Sequence, residues 1–212
     1  MFVQELWRYP VKSMAGERID RTHAGEFGLD GDRRIVGVDS RGRAITARTH
    51  PKLLGLKGAT GADGAALVSG YRWDSPEALE LVRAAVGSGA RLIEVEEGGF
   101  DVLPLLVATS GAIAHMAIDG RRLRPNIVVG AVEGLAERSW PGKRLRMGAA
   151  PIETVQLRGR CVMTTYDPDT LRQDVGVLRR IAKELDGTMA LDSRVIEAGK
   201  IRVGDPVRFS AS

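Results

Sequence analysis

Short stretches in which apolar and polar residues alternate recur along most of the chain, and Gly, Pro or Asp interrupts them every few residues. That pattern predicts strands joined by turns. Residues 2–9 and 17–23 read as short strands around Pro10-Val11-Lys12-Ser13-Met14-Ala15-Gly16, a proline-to-glycine loop carrying one ammonium and one hydroxyl. Gly31-Asp32 introduces a strand over 33–39, which Ser40-Arg41-Gly42-Arg43 turns into Ala44-Ile45-Thr46-Ala47-Arg48, so a hairpin is expected there. Residues 58–70, rich in Gly and Ala around one apolar run, predict another turn and strand. From Leu123 onward strands are expected over 127–129, 144–147, 152–157, 195–196 and 201–203.

Helical spacing interrupts this pattern in three places. Asp74-Ser75-Pro76-Glu77 offers an N-cap, an early proline and a carboxylate three positions after the cap; Leu79, Val82 and Val86 follow at helical spacing and Gly87 stops the run. A second helix is expected from about Ser110 to Ile118, stopped by Asp119-Gly120. A third runs from about Asp174 to Leu185 with Leu178, Ile181, Ala182 and Leu185 on one face. Many short strands and few helices, without strict βαβ alternation, argue for a mainly β or α+β fold: a β-barrel or half-barrel with helices at its ends. Glu96-Glu97-Gly98-Gly99 is the softest internal boundary.

With 212 residues, 43% of them hydrophobic, the chain has material for a packed core. It has no run of eighteen apolar residues and no basic-then-apolar N-terminus, so the expectation is a soluble, cytoplasmic protein with no membrane partner. Cys161 is the single cysteine, which excludes an intramolecular disulfide framework and any iron–sulfur cluster or structural zinc held by several thiolates. The net charge of +4 is unevenly spread, since residues 121–160 hold nine Arg or Lys against three Glu. Arg outnumbers Lys 25 to 6, and guanidinium suits bidentate recognition of phosphate or carboxylate. Nucleic acid is not expected as the partner, because Trp140 is the only aromatic residue in the basic segment and a stacking platform is missing.

No G-x-S-x-G, G-x-x-x-x-G-K-[ST] or H-E-x-x-H sequence occurs, and His23, His50 and His115 are isolated from one another. What remains is a set of loop residues with consistent chemistry. Lys12 and Ser13 follow a proline, Arg33 follows Gly31-Asp32, Arg124-Pro125-Asn126 opens a strand, and Arg158 and Arg160 precede Cys161. Together they suit a phosphorylated polar ligand beside a sulfur atom that is otherwise an inert small hydrophobe. Strict alternation along a strand would put Arg160 and Cys161 on opposite faces, unless a bulge at Gly159 intervenes.

The chain resembles the MOSC family, the domain found at the C-terminus of molybdenum cofactor sulfurases, and within it the two-part proteins similar to the mitochondrial amidoxime-reducing component. The resemblance runs through Tyr9-Pro10-Val11-Lys12-Ser13, Gly28-Leu29-Asp30-Gly31-Asp32-Arg33, Ile45-Thr46-Ala47-Arg48, Arg124-Pro125-Asn126-Ile127, Ser139-Trp140, Arg160-Cys161 through Thr170, and Gly199 through Val207. It implies an N-terminal β-barrel-like part over 1–97 and a MOSC β-barrel over 98–212. It further implies a molybdenum cofactor (Mo-molybdopterin) with Cys161 as the molybdenum ligand and catalytic centre, and Asp205 as a carboxylate near the metal. Lys12, Ser13, Arg33 and Arg124 are then contacts to the cofactor phosphate or pterin, joined by Ser110, Asn126 and Arg160. The implied activity is reduction of small N-hydroxylated or N-oxide compounds. The electrons would come from a separate donor protein of ferredoxin, cytochrome or flavin reductase type. The alternative is a non-catalytic protein that binds the cofactor or carries sulfur as a Cys161 persulfide. The segment 57–108 is shorter than in longer relatives, and Leu171 stands where many relatives have glycine.

Overall fold

The structure is a computed structural model that describes residues 1–210. In chain order its first strands are β1 (Phe2–Arg8), β2 (Glu17–Ile19), β3 (Arg21–Gly25), β4 (Gly28–Leu29), β5 (Ile35–Val38), β6 (Gly58–Thr60), β7 (Ala66–Val68) and β8 (Tyr71–Arg72). Helix α1 (Pro76–Val86) and strands β9 (Arg91–Glu94) and β10 (Leu105–Thr109) come next, followed by α2 (Ser110–Met116) and β11 (Ile127–Gly130). The chain continues through β12 (Arg144–Met147), β13 (Ala150–Gly159), α3 (Val175–Leu185), β14 (Thr188–Val195), β15 (Gly199–Arg202) and β16 (Val207–Phe209). Four short 3-10 helices, among them Pro51–Gly55, Gly120–Leu123 and Val162–Thr165, punctuate the loops. The expected mainly β, α+β class with peripheral helices is what forms.

The main sheet has the order β16-β12-β13-β14-β10-β11-β1-β2. Its far ends are tied together, because Val3 N–H donates to the Asp205 carbonyl (2.8 Å), Gly204 N–H to Val3 (2.8 Å) and Val207 N–H to Met1 (3.0 Å). The sheet therefore curls until the approach to β16 meets β1, and Val3, Leu6, Val107, Ile127, Leu145, Ile152 and Leu191 fill the interior. Strand β10 is buried along its whole length because its two faces serve different layers. Leu105 and Val107 point into the barrel interior, while Leu106 and Ala108 pack with Met116, Val177, Ile181 and Leu185 of α2 and α3. A second core of Val11, Met14, Ile35, Ile45, Leu53, Val68, Ala78 and Val82 lies under the segment between β5 and β9.

Several details differ from expectation. The strand expected over 17–23 breaks at Asp20 into β2, which joins the main sheet, and β3, which pairs with β15. The 33–48 hairpin is reduced to a single bridge between Val38 and Ala44, because β5 takes β9 as its antiparallel partner along its full length. Ser75 caps α1 by accepting from Ala78 N–H (3.2 Å), one residue after the expected Asp74. One βαβ unit does occur, with β10 and β11 parallel across α2. Its helix lies on the sheet face opposite the barrel interior.

Candidate functional site

Loops from both ends of the chain meet over the mouth of the main sheet and enclose an open cavity of about 750 Å³. Lys12, Ser13, Arg33, Arg124, Asn126, Arg160 and Cys161, all expected site residues, line it together. Ser110 and Asp205 do not. Ser110 opens α2, where its hydroxyl exchanges long hydrogen bonds with the backbone of Val132. Asp205 is a turn residue beside the barrel seam, its carboxylate accepting from Arg202 N–H (2.8 Å). The metal-side role expected for Asp205 thus has no footing in the cavity, because the turn before β16 consumes its carboxylate locally.

Strand β13 ends at Gly159 after a register shift against β14, so Arg160 and Cys161 follow the strand and strict alternation no longer applies to them. Arg160 bonds back through its Nη2 to the Leu123 carbonyl (2.9 Å), and its own N–H donates to Gly187 (2.8 Å). Cys161 stays extended and caps the 3-10 turn Val162–Thr165 with its carbonyl. Arg122 holds the next stretch, donating to the Thr165 carbonyl (2.9 Å) and to Asp167 (3.1 Å). The thiol is half-buried on the cavity wall.

The opposite wall is organised by Asp32, which is fully buried. It accepts from Tyr9 N–H (2.7 Å), from Asn126 Nδ2 (3.0 Å) and from Arg33. Asn126 in turn accepts from Leu106 N–H (3.1 Å) and Arg33 (3.2 Å), so one amide locks both halves of the cavity. The guanidinium groups of Arg33 and Arg124 both lie against the Tyr9 ring, 4.7 Å and 4.4 Å from its centre. Ser13, Arg33 and Arg124 have φ values of 70°, 53° and 58°, left-handed conformations that cost non-glycine residues about 1–3 kcal/mol each. Such strain persists only where surrounding contacts over-determine it.

Seven cationic side chains line the cavity, Lys12, Arg33, Arg48, Arg122, Arg124, Arg158 and Arg160, against the single carboxylate of Asp101. Burial lowers the pKa of Arg124 and of Arg160 to about 10, and pushes the Tyr9 hydroxyl up to about 12. Burial also acts to raise Asp101, but its bond to Lys12 (2.8 Å) and the charges of Lys12, Arg48 and Arg158 outweigh it and hold the group below the usual aspartate range. Arg48, Arg122 and Asp101 were not singled out as site residues from the sequence. Arg48 closes the Ile45-Thr46-Ala47-Arg48 motif and Arg122 belongs to a basic run before Arg124, which was the available signal. Asp101 precedes β10, a strand that the alternation pattern does not reveal.

The donor set can be tested against a phosphate-tailed metallopterin. Arg124 Nη2 is buried without a protein partner, and the cations far exceed the local carboxylate, as a dianionic phosphate requires. No cluster of three or more His, Cys, Asp or Glu able to hold a metal occurs among the described residues. A metal at Cys161 therefore needs its remaining ligands from the group that carries it, which a dithiolene provides. The residues fit.

Comparison with known proteins gives the same picture. The profile of the MOSC N-terminal beta barrel domain matches residues 1–86 and that of the MOSC domain matches residues 106–208. The chain belongs to the MOSC family. Both matched spans supply walls of the cavity, Lys12 to Arg48 from the first and Arg122 to Met163 from the second. This MOSC protein is similar to human mitochondrial amidoxime-reducing component 1, with 24% identity over 277 residues, spanning 97% of this chain and 82% of that protein. Human component 2 is likewise 24% identical over 282 residues, with the same coverage. These spans exceed the chain's 212 residues, so the relatives carry insertions within the shared region. Among solved structures, the YUAD protein from Bacillus subtilis covers 99% of this chain and 96% of its own, at a TM-score of 0.51 and 14% identity. At that identity the likeness shows the shared fold.

Proposed function

We propose that this MOSC protein is a molybdenum cofactor-dependent oxidoreductase that reduces small N-hydroxylated or N-oxide compounds, with Cys161 as the protein ligand of the metal. The observation that carries the reading is the convergence of a lone thiol and seven cations on one cavity. Soft thiolate ligation suits molybdenum, and the amidoxime-reducing relatives named above support the reaction class. When bound, the cofactor supplies a two-electron centre that accepts the substrate oxygen.

The chain's own residues bind and orient. Lys12, Ser13, Arg33, Arg124 and Arg48 would hold the phosphate tail, Arg160 and Arg122 fix the loop that presents the Cys161 sulfur, and Asn126 keeps Arg33 aimed into the cavity. Asp101, held ionised between Lys12 and Arg48, is not a proton donor at neutral pH, so the two protons consumed in each turnover enter from solvent through the open mouth. In this reading residues 1–97 and 98–212 are the two parts of the protein. It works in the cytoplasm with a separate electron-donor protein of ferredoxin, cytochrome or flavin reductase type. No helix among the described residues is long and apolar enough to cross a membrane.

The test is molybdenum content of the wild type against Cys161→Ala, with benzamidoxime reduction by an artificial electron donor. Wild type is expected to retain the metal and turn over, and Cys161→Ala to lose both. Equal metal in the two proteins removes Cys161 as ligand, and loaded protein without turnover removes the reductase reading. An added sulfur on Cys161, without molybdenum, gives the site to a sulfur carrier.

A further inference from the structure

Behind a wall formed by Arg122, Arg124 and Met163 lies a second cavity of about 540 Å³. Its lining differs in kind from the first. Trp7, Tyr9 and Tyr166 supply aromatic surface, and Leu54, Met163 and Pro168 aliphatic surface. Among its charged groups, Arg121 is held between Asp119 and Asp169 and Arg122 pairs with Asp167, which leaves Arg124 as the cation without a counter-charge. Two buried polar atoms of this lining have no partner, the Tyr9 hydroxyl and Arg124 Nη2. Tyr9 is only 2% exposed, so water does not freely satisfy it. Gly16 makes room for its ring, since a Cβ there would stand 2.5 Å from the Tyr9 ring edge.

An apolar slot with two convergent, unpaired donors is built for a flat ring that carries an acceptor. We propose that this cavity seats the planar aryl body of an N-hydroxylated substrate bearing a carboxylate or carbonyl oxygen, with that oxygen on the Tyr9 hydroxyl and Arg124 and the ring beside Trp7, Leu54 and Tyr166. The inference rests on the reductase reading, because Cys161, just across Met163, is what gives the N–O end its destination. A pterin ring has the same flat, acceptor-bearing chemistry. Lys12, Arg33, Arg48 and Arg158, the cations suited to its phosphate, line the first cavity alone, which favours substrate in the second.

Calorimetric titration of metal-free protein with sodium benzoate, at ionic strength held constant with chloride, reads this cavity without turnover. Wild type is expected to bind benzoate and to bind benzamidine, whose cation meets Arg124, about tenfold more weakly. Tyr9→Phe keeps the ring under both guanidinium groups and should weaken benzoate about fivefold. Leu54→Trp fills the slot and should abolish binding, while Arg48→Ala, in the first cavity only, should leave it unchanged. Absence of benzoate binding overturns the proposal, as does weakening by Arg48→Ala with none by Tyr9→Phe, since the anion is then taken by the cations around Cys161. Cofactor-loaded protein should bind benzoate as well as metal-free protein; loss on loading assigns the slot to the pterin and also overturns the proposal. Loaded protein that binds benzoate yet fails to reduce benzamidoxime leaves the aryl site standing and removes the reductase reading instead.

Discussion

Asp101 shows how single side chains at this site answer to one another. Burial pushes its pKa up, and the Lys12 ammonium, with Arg48 and Arg158, pulls it below the usual 3.8. A carboxylate lowered in this way stabilises the fold above the ordinary aspartate pKa, and the contribution is lost as pH falls through the lower folded-state value. Lys12→Ala removes the largest opposing influence, so the Asp101 titration, followed by carboxyl carbon NMR, should move upward in pH; an unmoved midpoint would show that Lys12 does not set it. At this scale much of the cavity was legible in the sequence, because Lys12, Arg33, Arg124, Asn126 and Cys161 sit in loops flanked by Pro or Gly, where side chains are free of core packing. Asp101 was not, since its importance comes from a partner 89 positions away in the chain.

Elements reveal where local preference yields to packing. Gly111, in the first turn of α2, is a poor helix former, and intrinsic propensity says that Gly111→Ala should gain about 1 kcal/mol. The structure says otherwise: a Cβ there would meet the carbonyl oxygens of Gly134 at 2.5 Å and Val132 at 2.6 Å. Backbone cannot step aside as a side chain can, so thermal denaturation should show Gly111→Ala destabilised, by about 1–3 kcal/mol. A neutral or stabilising result would mean that the 131–134 loop shifts freely. The three helices were legible because their 3.6-residue stripes and caps are local. Strand β10 and most of β14 were not, because Leu105 to Thr109 and Met189 to Ser193 are buried on both faces and carry no alternation to read. The misplaced 33–48 hairpin has a similar cause: Ile35 to Val38 pair with Arg91 to Glu94, and nothing near Ser40 announces so distant a partner.

The barrel as a whole depends on a seam where Val3 meets Gly204 and Asp205. Asp205 belongs to that seam, so Asp205→Ala should lower stability by about 1 kcal/mol through the lost bond to Arg202 N–H, while molybdenum content stays at the wild-type level. Metal loss in a folded Asp205→Ala protein would return that carboxylate to the site. Closure of the sheet was only partly legible, since strand count and turn spacing suggest a barrel but the meeting of β1 with β16 is set by cumulative twist and not by any residue pair visible in order along the chain. The crowding of seven cations about one carboxylate has a practical side. Folding forces these charges together against their mutual repulsion, so the native state carries a counterion demand of its own. Millimolar phosphate or sulfate should therefore raise the melting temperature more than chloride at equal ionic strength. The choice of buffer then becomes a variable of shelf life.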